Sequence, residues 1–337
     1  MLKRMILVSN RVQCVLCPHL CTLAPGERGR CSVRLNVDGE LVSLVYGRPV
    51  AVHVDPVEKK PLFHFLPGID VFSIATAGCN LRCEFCQNWE ISQAAPEDVT
   101  PYDLPPEAVV EQAIVYNCEA IAYTYTEPVV FFEYTRDTAK LAKEAGLKNI
   151  LVTAGYINQG PLTELAEYID AANVDLKSMK DSYYRDICGG TLQPVLDTIT
   201  TLKELGTWVE VTNLIVPTLN DDSRELDELA RWILENTGAD TPLHFSRFFP
   251  MYRLTDLAPT PVSTLQSARE RALEIGLHHV YVGNAVTEEG MITTCPECGE
   301  VLIRRQGYLI EENRIENGKC FSCSAPVAGV WNGMEEQ

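Results

Sequence analysis

Positive charge is scarce in this chain. Across 337 residues, 28 lysines and arginines stand against 46 aspartates and glutamates, for a formal net charge of −18. Nucleic-acid affinity comes from phosphate neutralisation by Lys and Arg, so the balance speaks against DNA or RNA as main partner. Only a local basic pair such as Arg304 and Arg305 runs the other way. Long apolar runs are also missing, and none approaches the length that crosses a bilayer. Near the N-terminus, Lys3 and Arg4 are followed by only Met5-Ile6-Leu7-Val8 before polar residues. That is too short for the apolar stretch of a secretory signal. An intracellular, cytoplasmic protein is expected. Internal repeats and low-complexity tracts are absent too. What remains is ordinary for a globular protein, with 46% hydrophobic and 22% charged residues. The length suits one large domain with small appendages.

Cysteine, by contrast, is abundant. Thirteen are present. The odd number argues against a full disulfide framework, and so many thiols in a cytosolic chain point to metal. Eleven fall in three tight groups, and the isolated Cys118 and Cys188 are expected to be small buried apolar groups. The central group is Cys79, Cys83 and Cys86, directly after the strand-like run Val71–Thr76. Three thiolates at these gaps can wrap one face of a [4Fe–4S] cubane, which normally takes four. One iron then keeps an open position, the mark of a catalytic metal site. The competing reading, three of four zinc ligands, fits less well, because zinc sites usually present paired Cys-x-x-Cys knuckles.

Residues 1–65 form a first region with Cys14, Cys17, Cys21 and Cys31, then a hairpin of Ser32–Val37 and Leu41–Tyr46 turning at Asp38-Gly39. A further strand is expected at Ala51–Asp55. Four thiolates within this span can close a metal site, and both zinc and a second [4Fe–4S] cluster are allowed. Residues 66–285 alternate strand and helix. Strands are expected at Val71–Thr76, Ile121–Tyr125, Asn149–Thr153, Asn173–Leu176, Trp208–Ile215 and Leu243–Ser246. Helices are expected at Pro106–Tyr116, Phe131–Ala145, Leu162–Ile169, Pro194–Leu205 and Arg224–Glu235, with Gly146 and Gly206 as C-caps. This α/β pattern implies a parallel sheet with right-handed crossovers, a partial (β/α)6 barrel whose chemistry sits at the C-terminal strand ends. Residues 286–337 hold Cys295, Cys298, Cys320 and Cys323 as two knuckles around strand-like Val301–Arg304 and Tyr308–Glu311. They read as a zinc-ribbon or rubredoxin-like appendage that folds on its metal. It lies after the barrel and need not reach the strand mouth.

The chain resembles the radical SAM superfamily, in particular its pyruvate formate-lyase activating enzymes and, more closely, the AmmeMemoRadiSam system radical SAM enzymes. The resemblance is carried by Cys79-Asn-Leu-Arg-Cys-Glu-Phe-Cys-Gln-Asn-Trp89, Tyr123-Thr-Tyr-Thr-Glu-Pro128, Thr153-Ala-Gly-Tyr-Ile-Asn158, Val174-Asp-Leu-Lys177, Asn213-Leu-Ile-Val-Pro217 and Tyr281-Val-Gly-Asn284. Both outer cysteine groups match the closer relatives, so it covers nearly the whole chain. It implies a [4Fe–4S] cluster on Cys79, Cys83 and Cys86 that binds S-adenosylmethionine (SAM) through its open iron. Glu127 would contact the SAM ammonium, although Tyr125 and Thr126 stand where the family has two glycines. Asp175 and Lys177 share one strand face. They would reach the SAM carboxylate and ribose, pair with each other, or do both. Phe85 would stack on the nucleotide as well as pack. Asn88 would hydrogen-bond a cluster sulfur or the ligand, and Thr153 the ligand. Asn213 and Asn284 are weaker candidates. His244 and Arg247 flank the end of the sixth strand, where they could face the substrate, but a lone histidine there is more often structural and both are left out of the catalytic set. The resemblance further implies a ferredoxin or flavodoxin as electron donor and a protein or peptide substrate, as in glycyl-radical enzyme activation. The alternative is a multi-zinc scaffold or binding protein without radical chemistry.

Overall fold

A computed structural model of the chain describes residues 7–331 apart from 9, 286 and 288. Its centre is an eight-stranded sheet. From one edge to the other the strands are Val280–Gly283, Leu243–Arg247, Trp208–Ile215, Ala171–Asp175, Lys148–Thr153, Ala120–Tyr123, Asp70–Ala75 and Ala51–Pro56. The seven strands from Asp70 onward run parallel, and Ala51–Pro56 joins antiparallel with Ala51 opposite Ala75. Strand order follows sequence order without reversal, so the sheet winds in one direction as a barrel does, and its two edge strands do not pair. Six helices cross between consecutive parallel strands: Pro106–Val115, Phe132–Glu144, Gln159–Ala166, Gln193–Glu204, Ser223–Thr237 and Val262–Ile275.

Helices cover the sheet, so its strands read as nearly continuous apolar runs. Asp70–Ala75 is buried from its second residue on, and Ala120–Tyr123 throughout. Gly146 and Gly206 follow their helices with φ of 80° and 86°, the left-handed cap that glycine tolerates best. Asp222 caps Ser223–Thr237 by accepting from the Arg224 N–H. Two expected elements are shorter or shifted: the N-terminal hairpin is Arg34–Val37 with Glu40–Ser43, and the third crossover helix starts at Gln159 rather than Leu162. The turn between the hairpin strands is as expected, with positive φ at Asp38 and Gly39. The helix Val262–Ile275 and the last strand, Val280–Gly283, complete the sixth unit beyond the expected elements.

The C-terminal region has a small core of its own, with Leu302, Ile303, Val327 and Trp331 packed beside Cys295 and Cys320. It does not hang free. Val330 exchanges backbone bonds with His64 and Leu66, and the buried Arg305 donates to the carbonyl of Phe63 at 2.7 Å. The appendage is thus seated on the segment entering the first parallel strand, and its Arg304, Arg305 and Tyr308 line the cavity at the strand ends, which corrects the expectation that it need not reach the strand mouth.

Candidate active site

The parallel strands end together. Val174 pairs with Thr153 on one side and Val211 on the other, and Asp175 with Thr212, so the side chains at the C-terminal ends arrive level. They open on a cavity of about 1200 Å³. This exceeds the roughly 300–1,000 Å³ usual for one small ligand.

The loop after Asp70–Ala75 brings Cys79, Cys83 and Cys86 to that cavity. Gly78 starts it at φ 91°, and a Cβ there would stand 2.6 Å from the Cys31 carbonyl oxygen, so only glycine fits. The Leu81 N–H donates to the Cys79 sulfur at 3.4 Å, and Cys86 Sγ lies 3.1 Å from Ser92 Oγ. Among the described residues, no three of these and neighbouring ligand atoms close into a single-ion site. A cubane places each thiolate on a separate iron, so three thiolates that do not close on one point fit a cluster. Cys188 is fully buried in the main core, as expected, and it neighbours Cys83, whose thiol its side chain draws below the ordinary range against the opposing effect of burial, with the Lys177 charge adding to it.

Glu127 is 1% exposed and held in place. Its Oε1 accepts from Thr153 Oγ1 at 2.7 Å and the Val129 N–H at 3.3 Å, and its Oε2 accepts from the Ala154 N–H at 2.8 Å. Burial raises its pKa, and these donors oppose the rise. Where the family has glycine, Tyr125 takes φ 60° and its hydroxyl bonds Asp55, while Thr126 Oγ1 donates to the Thr76 carbonyl. A left-handed backbone is therefore kept here without glycine, anchored by side chains that glycine lacks. Asp175 Oδ2 and Lys177 Nζ pair at 2.8 Å. Burial works to lower the Lys177 pKa, but the charges of Asp175, Cys83 and Cys188 outweigh it and hold it well above the ordinary value. Lys177 Nζ also lies 5.7 Å from the centre of the buried Phe85 ring. Asn88 Nδ2 is committed to the Tyr125 carbonyl at 2.7 Å.

The cavity thus gathers Phe85, Asn88, Glu127, Thr153, Asp175 and Lys177 with the three cysteines. His244, Arg247 and Asn284 also line it, with His244 Nε2 bonded to Glu210 at 2.7 Å. Asn213 stands apart, donating from Nδ2 to the Leu176 carbonyl, while its strand neighbours Thr212 and Leu214 face the cavity. Residues not expected at the site complete the wall: Glu58, between the strands Ala51–Pro56 and Asp70–Ala75, and Arg304, Arg305 and Tyr308 from the C-terminal hairpin. At that hairpin, Cys295 and Cys323 sulfurs lie 3.7 Å apart, as do those of Cys298 and Cys320. All four fall within 4.8 Å of one another.

The profile of the radical SAM superfamily matches residues 73–233. The uncharacterized protein MJ0808 of Methanocaldococcus jannaschii is 46% identical over 320 residues, which cover 94% of this chain and 95% of that one. The chain belongs to the radical SAM superfamily. The pyruvate formate-lyase-activating enzyme of Clostridium pasteurianum is 27% identical over 158 residues, 46% of this chain and 66% of that enzyme. The fold is shared with a radical SAM methyltransferase from Sphaerobacter thermophilus, at a TM-score of 0.52 and 14% identity over 70% of this chain and 71% of that one. As a radical SAM enzyme the chain calls for a [4Fe–4S] cluster and SAM, and the scaffold reading without radical chemistry is set aside. Among the described residues, no helix is long and apolar enough to cross a membrane.

Proposed function

We propose that this radical SAM enzyme abstracts hydrogen from a protein or peptide substrate. One observation carries the radical reading, three thiols, a buried carboxylate and a buried ammonium converging on one cavity, and the likeness to a pyruvate formate-lyase-activating enzyme supports the substrate class. Cys79, Cys83 and Cys86 would hold the cluster. When bound, the cluster would supply one electron for cleavage of the SAM S–C5′ bond to methionine and a 5′-deoxyadenosyl radical. Glu127, held in place by Thr153 and Ala154, would accept from the SAM ammonium. Lys177 would meet the SAM carboxylate and Asp175 the ribose, and their mutual ion pair keeps either from being buried alone. The ring of Phe85 offers a stacking face beside Lys177.

The cavity extends to the C-terminal hairpin, whose Arg304 and Tyr308 would meet the substrate. The three regions, 1–65, 66–285 and 286–337, would divide the work into electron entry, chemistry and substrate docking. The sulfur spacing of 3.7 Å at Cys295, Cys298, Cys320 and Cys323 supports zinc. A tetrahedral ion with bonds of about 2.3 Å has ligand edges of about 3.8 Å. A ferredoxin or flavodoxin would supply electrons. All thirteen cysteines are free, which fits a reducing, cytoplasmic location.

Deuterated cell extract, split into macromolecular and small-molecule fractions, tests the substrate class. Deuterium should pass into 5′-deoxyadenosine from the macromolecular fraction. Transfer from the small-molecule fraction alone would overturn the protein-substrate reading.

A further inference from the structure

We infer that Cys14, Cys17, Cys21 and Cys31 hold a second [4Fe–4S] cluster, which passes electrons into the SAM-binding site. The inference rests on the radical SAM reading above.

Size separates the two candidate metals. The four cysteines are gathered by the fold: the Cys14 N–H donates to the Cys21 carbonyl at 2.9 Å, and Cys17 and Cys21 pack against the core that holds Cys14 and Cys31. Yet among the described residues no three of them come within 4.8 Å of each other, as the C-terminal four do. This is the same wide, all-thiolate arrangement seen at Cys79, Cys83 and Cys86. Zinc would draw four sulfurs to tetrahedral edges, whereas a cubane keeps them on separate irons. The site also has its own counter-charge. Arg34 is buried, ion-paired with Glu133 at 2.5 Å, and its charge reaches Cys14 and Cys31. A four-thiolate site in an apolar interior needs such a partner.

Position points to the relay. Three alternate residues of the SAM-site cysteine loop rest on the N-terminal site. The Cys31 carbonyl closes on Gly78, one residue before Cys79. The Asn80 carbonyl lies 2.7 Å from His19 Nε2, two residues after Cys17. Arg82 donates to the Arg30 carbonyl. No structural element intervenes between the two cysteine groups along these contacts. On the outer side, Cys17 and Cys21 are partly exposed and Leu20 between them is 44% exposed, while Cys83 lies buried within. An electron entering at the Cys17–Cys21 loop therefore has a short inward path. The donor, a reduced iron–sulfur or flavin protein, loses one electron. That electron passes through the N-terminal site to the SAM site and ends in the cleaved sulfonium, with no proton or group moved on the way.

Metal analysis and EPR of the full-length, anaerobically purified protein test this. The wild type should carry about eight irons and about one zinc per chain. About four irons with about two zincs would overturn the proposal. In Cys17→Ser/Cys21→Ser, iron should fall to about four while dithionite-driven SAM cleavage stays within about threefold. Cleavage driven by reduced ferredoxin should fall at least about tenfold. Equal loss with both reductants, or no loss with either, would overturn the relay. Arg34→Gln keeps every ligand, and it should lower the potential of one of two reducible signals at full iron content, because removing a nearby positive charge favours the oxidised state. A shift of both signals, or of neither, would contradict the assignment. Eight irons without any dithionite-driven cleavage in the wild type would sink the radical reading and the relay, and leave the iron site itself standing.

Discussion

The two outer cysteine groups contain the same four ligands and behave as opposites. The C-terminal four close on each other at 3.7 Å, with Cys298 and Cys323 exposed, around a core of a few residues. The N-terminal four stay apart, and Cys14 and Cys31 belong to the main core of the molecule. Cysteine count therefore says little about the metal, and sulfur spacing says more. The surroundings then suggest the role. The C-terminal group shapes a small appendage that walls the cavity, while the N-terminal group rests on the loop that carries Cys79, Cys83 and Cys86.

Metal removal should separate them most sharply. Zinc binding by such a site is worth about 10–16 kcal/mol and is folding energy for a segment this small. Cys298→Ala/Cys323→Ala should release one zinc and expose the region after Asn284 to protease, with iron content unchanged. Loss of iron in that variant would break the comparison. Arg305→Ala should come next. It leaves Glu58 buried without its charged neighbour, 3.9 Å away, and removes the bond to Phe63. A loss of about 3–5 kcal/mol in unfolding free energy is expected, with zinc retained. Unchanged unfolding would mean that the appendage is not held as described. Smaller still are Glu127→Ala and Lys177→Ala, each removing a charge-assisted hydrogen bond worth about 1.5–3 kcal/mol. SAM affinity should fall by about one to two decades with cluster absorbance intact. Unaltered SAM titrations in both variants would remove these residues from the site.

Much of this was legible in the sequence because it is local. Cysteine gaps, the alternation of strand and helix, and the caps at Gly146 and Gly206 all depend on neighbours in the chain. The ion pair of Asp175 and Lys177 follows from two-residue periodicity along a strand. The same periodicity explains the misplaced Asn213: Thr212 and Leu214 face the cavity, so the residue between them cannot. Val262–Ile275 escaped notice because its buried face is only Leu265, Ala268 and Ala272, a thin stripe of small residues. Cys188 against Cys83 and Arg305 beneath the cavity are contacts between distant segments, set by the folded sheet rather than by any local pattern.

The most direct test of the central claim compares wild type with Cys83→Ala, both purified anaerobically and supplied with SAM and dithionite. The wild type should form 5′-deoxyadenosine and methionine, and Cys83→Ala should form neither while keeping its fold, because the sheet has its own apolar core. Production of 5′-deoxyadenosine by Cys83→Ala at the wild-type rate would contradict the account.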